Sequence, residues 1–345
     1  MSTFGRYLTY RLKNSTLRTI IFTLIAVIFT LNSVSSLVSY NEVEFKSVGL
    51  EIIATLLGIL CSVMPILETT GFKNRRNLDT LYFFPITRTK MALVHYLSGL
   101  IQAFVIYTVT FLTTFVYLLV KTNCFALGYM IGYYFASLMI GITVYSIVIF
   151  LYGQANTDTD GILFTVMWIF AISLVGLAIF SAVQRIVTLE DHPVLNGVWD
   201  MLGWGIVYAP VNNLTVIFQR LIEVNNSYHS EYAIEYARQW YMFVAWGVVG
   251  IAAAWGYVRT FSKKGAQKVG EISDSPFGYR LLLPLYGYSL LFITGSLGAI
   301  LTVPVLAVMT IGYIVYRRTV KIKVRDLIVI ACGIIPSVLG MIMFA

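Results

Sequence analysis

Long apolar stretches alternate with short polar and basic segments along almost the whole chain. A helix needs about 20 apolar residues to cross the ~30 Å hydrocarbon core of a bilayer, and six stretches approach or exceed that length. The third and fourth are longer than the minimum, so they must tilt or project beyond the bilayer. The pattern predicts six membrane spans, at Leu17–Val38, Val48–Leu67, Met91–Leu119, Phe125–Tyr152, Ile162–Ala182 and Tyr241–Tyr257.

Two segments beside these spans have a mixed pattern. Residues 1–16 place Phe4 and Tyr7 at helical spacing among basic residues, which predicts an amphipathic helix on the inner membrane surface. Residues 183–239 form the longest segment expected outside the membrane. Its partly apolar piece, Val198–Phe218, is interrupted by glycine and proline, which favours an interfacial or re-entrant helix over another full span.

The region that follows a basic loop at 263–280 allows two topologies. The apolar run Leu281–Tyr316 is either one very long span or two spans joined by a tight turn. One span would divide the Lys and Arg residues 14 inside and 10 outside, whereas a hairpin divides them 19 and 5. Because short loops rich in Lys and Arg stay in the cytoplasm, the hairpin is preferred. Region 281–345 is therefore expected to add about three C-terminal spans, near Leu282–Thr294, Ala299–Tyr316 and Leu327–Phe344.

Composition and charge predict an all-α, polytopic helical membrane protein with a six-span core at 17–262. Only 12% of the residues are charged, which is far too few for the surface of a soluble protein of 345 residues. The net charge of +8 is explained by the accumulation of basic residues on the cytoplasmic side. No nucleic-acid partner is therefore expected.

The sequence motifs that usually mark nucleotide-binding and metal-binding sites are absent or incomplete in this chain. It has no GxxxxGK[ST] nucleotide-binding loop and no HExxH zinc motif. The run Asn156–Gly161 resembles the start of a calcium loop, but Met167 stands where the closing glutamate should be. The three histidines, His95, His192 and His229, are far apart in the sequence. We expect no catalytic residue, no metal site and no cofactor bound by this chain itself.

Ionisable residues are nearly absent from the predicted spans. Glu51 and Glu68 lie near the ends of the second span, and Asn32, His95 and Gln102 are the other notable polar residues. Carriers driven by protons or sodium normally hold a charge near mid-membrane. The sequence therefore favours a protein that draws its energy from elsewhere and handles a hydrophobic or amphipathic cargo.

The loop Gly71–Lys90, between the second and third spans, carries the strongest positive signal. Leu78 and Tyr82 share one helical face, and Asp79 follows two arginines at helical spacing. The pattern predicts a short helix near 72–84 with a charged side and an aromatic tip. Two interpretations remain open: a helix that lies on lipid headgroups, and a docking helix for a cytoplasmic protein, which we prefer.

This loop resembles the first cytoplasmic loop of type-2 ABC transporter permeases, the membrane subunits of many bacterial exporters. The resemblance rests on Glu68 at the end of the second span, the polar helix Arg75–Asp79 and the turn Pro85–Arg88. The basic stretch Lys263–Glu271 is similar to the family's loop after span six. The likeness covers about Phe4–Glu271, and the last three spans look like those of extended permeases in Gram-positive bacteria.

The resemblance implies a coupling helix that passes the motion of separate cytoplasmic ATPase subunits, which bind ATP and Mg, to spans one, two and five. It also implies a second permease chain, identical or different, in the bacterial cytoplasmic membrane. The charge distribution, together with the hairpin, predicts a cytoplasmic N-terminus and an extracellular C-terminus. The implied cargo is hydrophobic or amphipathic, such as a peptide toxin or antimicrobial peptide. The residues implied in ATPase docking are Phe72, Arg75, Arg76, Asn77, Leu78, Asp79, Tyr82 and Phe83, with Glu68, Pro85 and Arg88 supporting the loop.

Two other functions remain as alternatives. An ATP-independent channel or carrier predicts buried charges or broken helices at mid-membrane. An intramembrane enzyme predicts a polar catalytic cluster at one depth.

Overall fold

The computed structural model describes residues 3–40, 45–74, 86–121, 127–186, 210–218, 241–265, 267, 269–273, 275–294, 298–317, 319–321 and 323–344. Regular structure in these residues is entirely helical. The helices are α1 (Thr3–Tyr40), α2 (Phe45–Thr69), α3 (Arg88–Lys121), α4 (Leu127–Gln154), α5 (Asp158–Ile186), α6 (Tyr241–Lys263), α7 (Tyr279–Ile293), α8 (Gly298–Arg317), α9 (Val324–Cys332) and α10 (Ile334–Phe344), with a further short helix at 210–218.

Eight segments of the described chain are long and apolar enough to cross a membrane, which confirms the predicted all-α, polytopic fold class. Six of them are α1 to α6, the seventh is α8, and α9 with α10 forms the eighth. The remaining apolar helix, α7, is shorter, with 15 residues. The six core helices and the C-terminal segments α7, α8 and α9 with α10 therefore follow the order that hydropathy predicts.

Helix α1 is one uninterrupted helix of 38 residues, about 57 Å long. The sequence predicts an interfacial helix at 1–16 followed by a span at 17–38, and from residue 3 onwards both lie in this single helix. Polar residues near the junction do not end it, because the hydroxyl groups of Ser15 and Thr16 hydrogen-bond to the carbonyls of Arg11 and Leu12 one turn earlier, at 3.0 Å each.

Packing divides the chain into two compact units. Unit 1 comprises Met1–Gly153 and Pro210–Gln267, and unit 2 comprises Gln154–Ala209 and Lys268–Ala345. Helix α5 therefore groups with the C-terminal helices, whereas the sequence analysis places it in the 17–262 core.

In unit 1, α3 is the central helix, since it packs against α1, α2 and α6. Helices α4 and α6 also approach closely. A Cβ atom at Gly250 of α6 would lie 2.9 Å from the Thr143 Cα atom of α4, so only glycine fits at this crossing.

In unit 2, polar contacts near the start of α5 explain why this helix joins the C-terminal group. The Asp160 carboxylate accepts hydrogen bonds from the hydroxyl groups of Ser273, at 2.8 Å, and Tyr279, at 3.0 Å. The Trp168 indole donates to the carbonyl of Phe277 at 2.8 Å. These contacts tie α5 to the chain that enters α7.

Helices α7 and α8 pack side by side and run in opposite directions. A Cβ atom at Gly287 of α7 would contact Met309 of α8, and one at Gly312 of α8 would contact Leu283 of α7. Early residues of one helix thus lie beside late residues of the other, which is the arrangement of a hairpin and not of one long helix. The predicted turn includes residues 295–297, which lie outside the described residues.

Candidate functional site

The carboxylate of Glu68 lies at the centre of a polar cluster in unit 1. Glu68 is in the last turn of α2, and its side chain is 1% exposed. Helix α2 ends one residue later, where the hydroxyl groups of Thr69 and Thr70 hydrogen-bond to the carbonyls of Pro65 and Ile66, at 2.6 and 2.7 Å. A short 3₁₀ turn, Thr70–Lys73, then leads into the predicted docking segment.

Two arginines of α1 bind the Glu68 carboxylate. Arg11 Nη2 donates to Oε2 at 2.8 Å, and Arg18 Nη2 donates to Oε1. Because they are seven residues apart, two turns of the helix, both side chains lie on the same face of α1. Each side chain is about a quarter exposed, at 26% and 29%, so the cluster opens towards the α1 side.

Helix α3 supplies the remaining partners, again from positions seven residues apart. Gln102 Nε2 donates to Glu68 Oε1 at 2.9 Å, and its own Oε1 accepts from Arg18 Nη2 at 2.7 Å. His95 Nδ1 lies 3.1 Å from the Glu68 carbonyl oxygen, and Nε2 lies 3.1 Å from the Tyr7 hydroxyl. The cluster thus joins Glu68 of α2 to two positions on α1 and two on α3, and the two positions on each helix lie two turns apart.

The electrostatics of the cluster favour a structural joint over a reactive group. Both oxygens of Glu68 accept hydrogen bonds from charged or amide donors, which offsets the cost of burying the carboxylate. A bound ion or a reacting proton would have to displace a guanidinium group. Within the described part of the chain, no group of three or more His, Cys, Asp and Glu side chains could hold a metal ion.

Close packing limits the space around Glu68. A Cβ atom at Gly99 of α3 would lie 2.8 Å from Glu68 Cγ and would also collide with the Tyr145 hydroxyl of α4. The Tyr145 residue is fully buried, and its hydroxyl has no hydrogen-bond partner among the described residues. The carboxylate is therefore wedged between α3 and the arginines of α1.

An aromatic cluster lies beside Glu68 and contains Phe72 and Ile86, which lie on either side of residues 75–85, the docking segment. Phe72, which precedes the segment, is 7% exposed, and its ring meets those of His95 at 4.3 Å and Phe261 at 4.8 Å. Ile86, which follows the segment, packs against the same cluster, as does Phe4. The chain therefore leaves this cluster and returns to it.

Three basic residues fasten the neighbouring loops to one another. Lys73 Nζ donates to the Tyr152 carbonyl at 2.6 Å, and Lys264 Nζ donates to that of Gly153 at 2.9 Å. Arg88 Nη1 donates to the Lys264 carbonyl at 3.0 Å. The ends of α4 and α6 are thereby joined to the residues on either side of the segment.

The predicted site residues divide into two groups. Glu68, Phe72 and Arg88 are described, and the structure brings them to this end of unit 1. Phe72 packs inside the chain, and Arg88 is exposed and donates to the Lys264 carbonyl. The others lie outside the described residues: Arg75, Arg76, Asn77, Leu78, Asp79, Tyr82, Phe83 and Pro85.

Sequence reasoning missed Arg11 and Arg18 as partners of Glu68. A signal was present, because Arg11 and Arg18 repeat the seven-residue spacing of His95 and Gln102. Two polar pairs at equal helical spacing can meet at two levels when their helices pack side by side.

Comparison of this chain with protein-family models and with curated proteins finds no match.

Proposed function

We propose that this chain is the membrane-spanning permease subunit of an ATP-driven exporter in a bacterial cytoplasmic membrane. The observation that carries the proposal is the attachment of the docking segment, residues 75–85. Phe72 and Ile86, which lie on either side of it, meet in one aromatic cluster with residues of α1, α3 and α6. Next to that cluster, Glu68 joins α2 to α1 and α3 through charged hydrogen bonds.

This attachment would let the docking segment act as a lever on the helices of unit 1. A force on the docking segment 75–85 reaches α1, α2 and α3 through Glu68 and Phe72. It reaches the ends of α4 and α6 through Lys73, Arg88 and Lys264. Buried, close-packed contacts transmit displacement because they have little room to deform. A separate ATPase that grips the segment can therefore move most of unit 1 at once.

The chemistry of ATP belongs to the partner in this proposal. The chain has no GxxxxGK[ST] loop, so nucleotide and Mg are bound by separate cytoplasmic subunits. A second permease chain completes the pathway. The apolar spans fit a hydrophobic or amphipathic cargo, for which a peptide toxin or antimicrobial peptide is our choice.

The test is to purify the tagged chain from its native membranes and to measure ATP hydrolysis by the complex. We expect an ATPase subunit to co-purify with the chain. Arg76→Glu and Asp79→Lys should each lower the recovered ATPase at least about tenfold, because a charged contact at a protein interface is reversed. Lys321→Glu makes the same change of charge as Arg76→Glu, in another basic loop, and should leave recovery unchanged.

Two results would reject the proposal. One is equal recovery of ATPase after deletion of residues 75–82. The other is transport of the cargo by the purified chain in liposomes that contain no ATPase.

The ATP-independent carrier remains the second candidate, and one observation bears on it. Glu68 is a charged group buried within a candidate span, as ion-coupled carriers require. Its two arginine partners and Gln102 already satisfy both oxygens, which makes it a poor site for a transported ion.

A further inference from the structure

An apolar groove of about 850 Å³ lies in unit 1, and Glu68 is not part of its lining. Its walls are α4, between Ala136 and Ser146, and α6, between Phe243 and Val258, with residues of α3 and of the 210–218 helix at its side. The crossing of α4 and α6 at which Gly250 meets Thr143 is part of its lining. Both walls belong to helices that are long and apolar enough to cross a membrane.

The lining offers almost nothing to a polar ligand. Hydroxyl groups of Tyr96 and Ser146 hydrogen-bond to each other at 2.7 Å, and the Thr143 hydroxyl reaches the Met139 carbonyl at 3.5 Å. Water gains few partners in such a space, since Trp246 Nε1 is the one buried side-chain polar atom of the lining without a hydrogen-bond partner among the described residues. The occupant must be apolar along most of its length.

The length of the groove suits an acyl chain. From Phe243 to Val258 α6 advances 15 residues, which is about 22 Å. This length exceeds the ~15 Å that one leaflet contributes to the ~30 Å hydrocarbon core of a bilayer, so an acyl chain fits along the groove.

One end of the groove carries positive charge. The Arg259 guanidinium lies 4.9 Å from the ring of Trp255, which lines the groove, and Arg259 directly follows the lining residue Val258. Lys263, one turn further along α6, is also exposed. Basic residues at the end of a span are where anionic headgroups are attracted.

We propose that this groove binds one anionic phospholipid, with an acyl chain between α4 and α6 and the phosphate at Arg259 and Lys263. Lipid tails in the bilayer are as apolar as the groove, so the tail is held by packing and the headgroup supplies the selectivity. The inference depends on the groove and its charged end, and it holds whether or not the chain works with an ATPase.

The experiment places the purified full chain in nanodiscs that contain a photoactivatable phosphatidylglycerol with a diazirine in its acyl chain. Cross-links should concentrate on residues 136–146 and 243–258. Gly247→Leu fills the groove without a clash, because no atom lies within 4 Å of a Cβ atom there, and should lower these cross-links at least about fivefold by excluding the chain. Gly128→Leu, also in open space but outside the groove, should leave them unchanged.

A second variant tests the charged end without touching the groove. Arg259→Gln with Lys263→Gln should lower the preference for phosphatidylglycerol over phosphatidylcholine about fivefold or more. Their side chains are exposed, so this variant should fold even if Gly247→Leu does not.

Three outcomes would overturn the proposal. The first is an even spread of cross-links over all spans, and the second is equal labelling of the Gly247→Leu and Gly128→Leu variants. The third is cross-linking of the groove walls to a second copy of the chain, which would make the groove a protein interface.

Discussion

Glu68 can be buried because each of its carboxylate oxygens receives hydrogen bonds from fixed donors. Arg11 serves one oxygen, and Arg18 with Gln102 serves the other. Removing one member of a buried ion pair leaves the others without a partner, and this usually costs more than the pair contributes.

Glu68→Gln is therefore expected to lower the free energy of unfolding by about 3 kcal/mol, at the lower end of the usual range because both arginines are partly exposed. Combining it with Arg18→Gln should cost less than the sum of the single changes, by about 1–3 kcal/mol, because Arg18 then no longer lacks its partner. Denaturant titration in mixed micelles measures each value.

Glu51→Gln on the same helix provides the control. Glu51 is exposed, and its substitution should change the free energy of unfolding by no more than about 0.5 kcal/mol. If Glu68→Gln behaved like this control, or if the double change were strictly additive, Glu68 would not be the joint between α1 and α2.

At the level of single residues, the sequence shows which positions in the spans are polar, but it does not predict which of them form pairs. Glu68, His95 and Gln102 stand out because the apolar spans contain few polar groups. Their assembly around Arg11 and Arg18 depends on how α1 and α3 pack, which no local pattern records. Phe72 illustrates the same limit, since its aromatic character fits either an exposed docking surface or the internal cluster in which it lies.

Among the helices, hydropathy locates the spans well because an apolar run of sufficient length has few alternatives to a membrane helix. Boundaries are harder to predict. Helix α1 continues through Asn14–Thr16, where polar residues suggest a junction, because the hydroxyl groups of Ser15 and Thr16 bond within the helix. The packing of α5 with the C-terminal helices depends on contacts between Asp160, Ser273 and Tyr279. Asp160 is far from the other two in the sequence.

Glycines in unit 2 allow a prediction about helix packing. A Cβ atom at Gly340 of α10 would lie 2.6 Å from the carbonyl oxygen of Phe292 in α7, which is backbone and cannot turn aside. One at Gly287 would meet the end of the flexible Met309 side chain. Gly340→Ala should therefore destabilise the protein by about 1–3 kcal/mol, and by more than Gly287→Ala.

Each of these variants serves as the control for the other. The gain in helix propensity from glycine to alanine, about 1 kcal/mol, applies to both and cancels in the difference. Thermal unfolding of the two variants in nanodiscs measures that difference. A Gly287→Ala protein that is less stable than Gly340→Ala would show that α10 does not pack on α7 in this way.

At the scale of the whole molecule, the packing and order of the helices do not determine which face of the membrane is cytoplasmic. The distribution of Lys and Arg residues is what predicts this orientation. Basic residues at Arg6–Arg18, Lys73–Lys90, Arg259–Arg280 and Arg317–Arg325 account for 19 of the 24 Lys and Arg residues. The antiparallel packing of α7 and α8 allows all four clusters to lie on one side. Which side that is follows from the positive-inside rule, since hydrocarbon itself does not distinguish the two faces.

Single cysteines can test this orientation with a reagent that does not cross membranes. The background replaces Cys124 and the exposed Cys332 with serine and can keep Cys61, which is fully buried. Lys13→Cys serves as the cytoplasmic reference. Lys121→Cys, at the far end of α3, serves as the external one.

In this background, we expect Thr319→Cys to be labelled only after the cells are permeabilised. Leu297→Cys should be labelled in intact cells. The expectation follows from the antiparallel packing of α7 and α8, because two antiparallel spans would return Arg317–Arg325 to the side on which α7 begins. Helix α9 with α10 would then carry the C-terminus outwards. Labelling of Thr319→Cys in intact cells would place ten basic residues outside, and the assignment of the docking segment to the cytoplasm would lose its basis in charge.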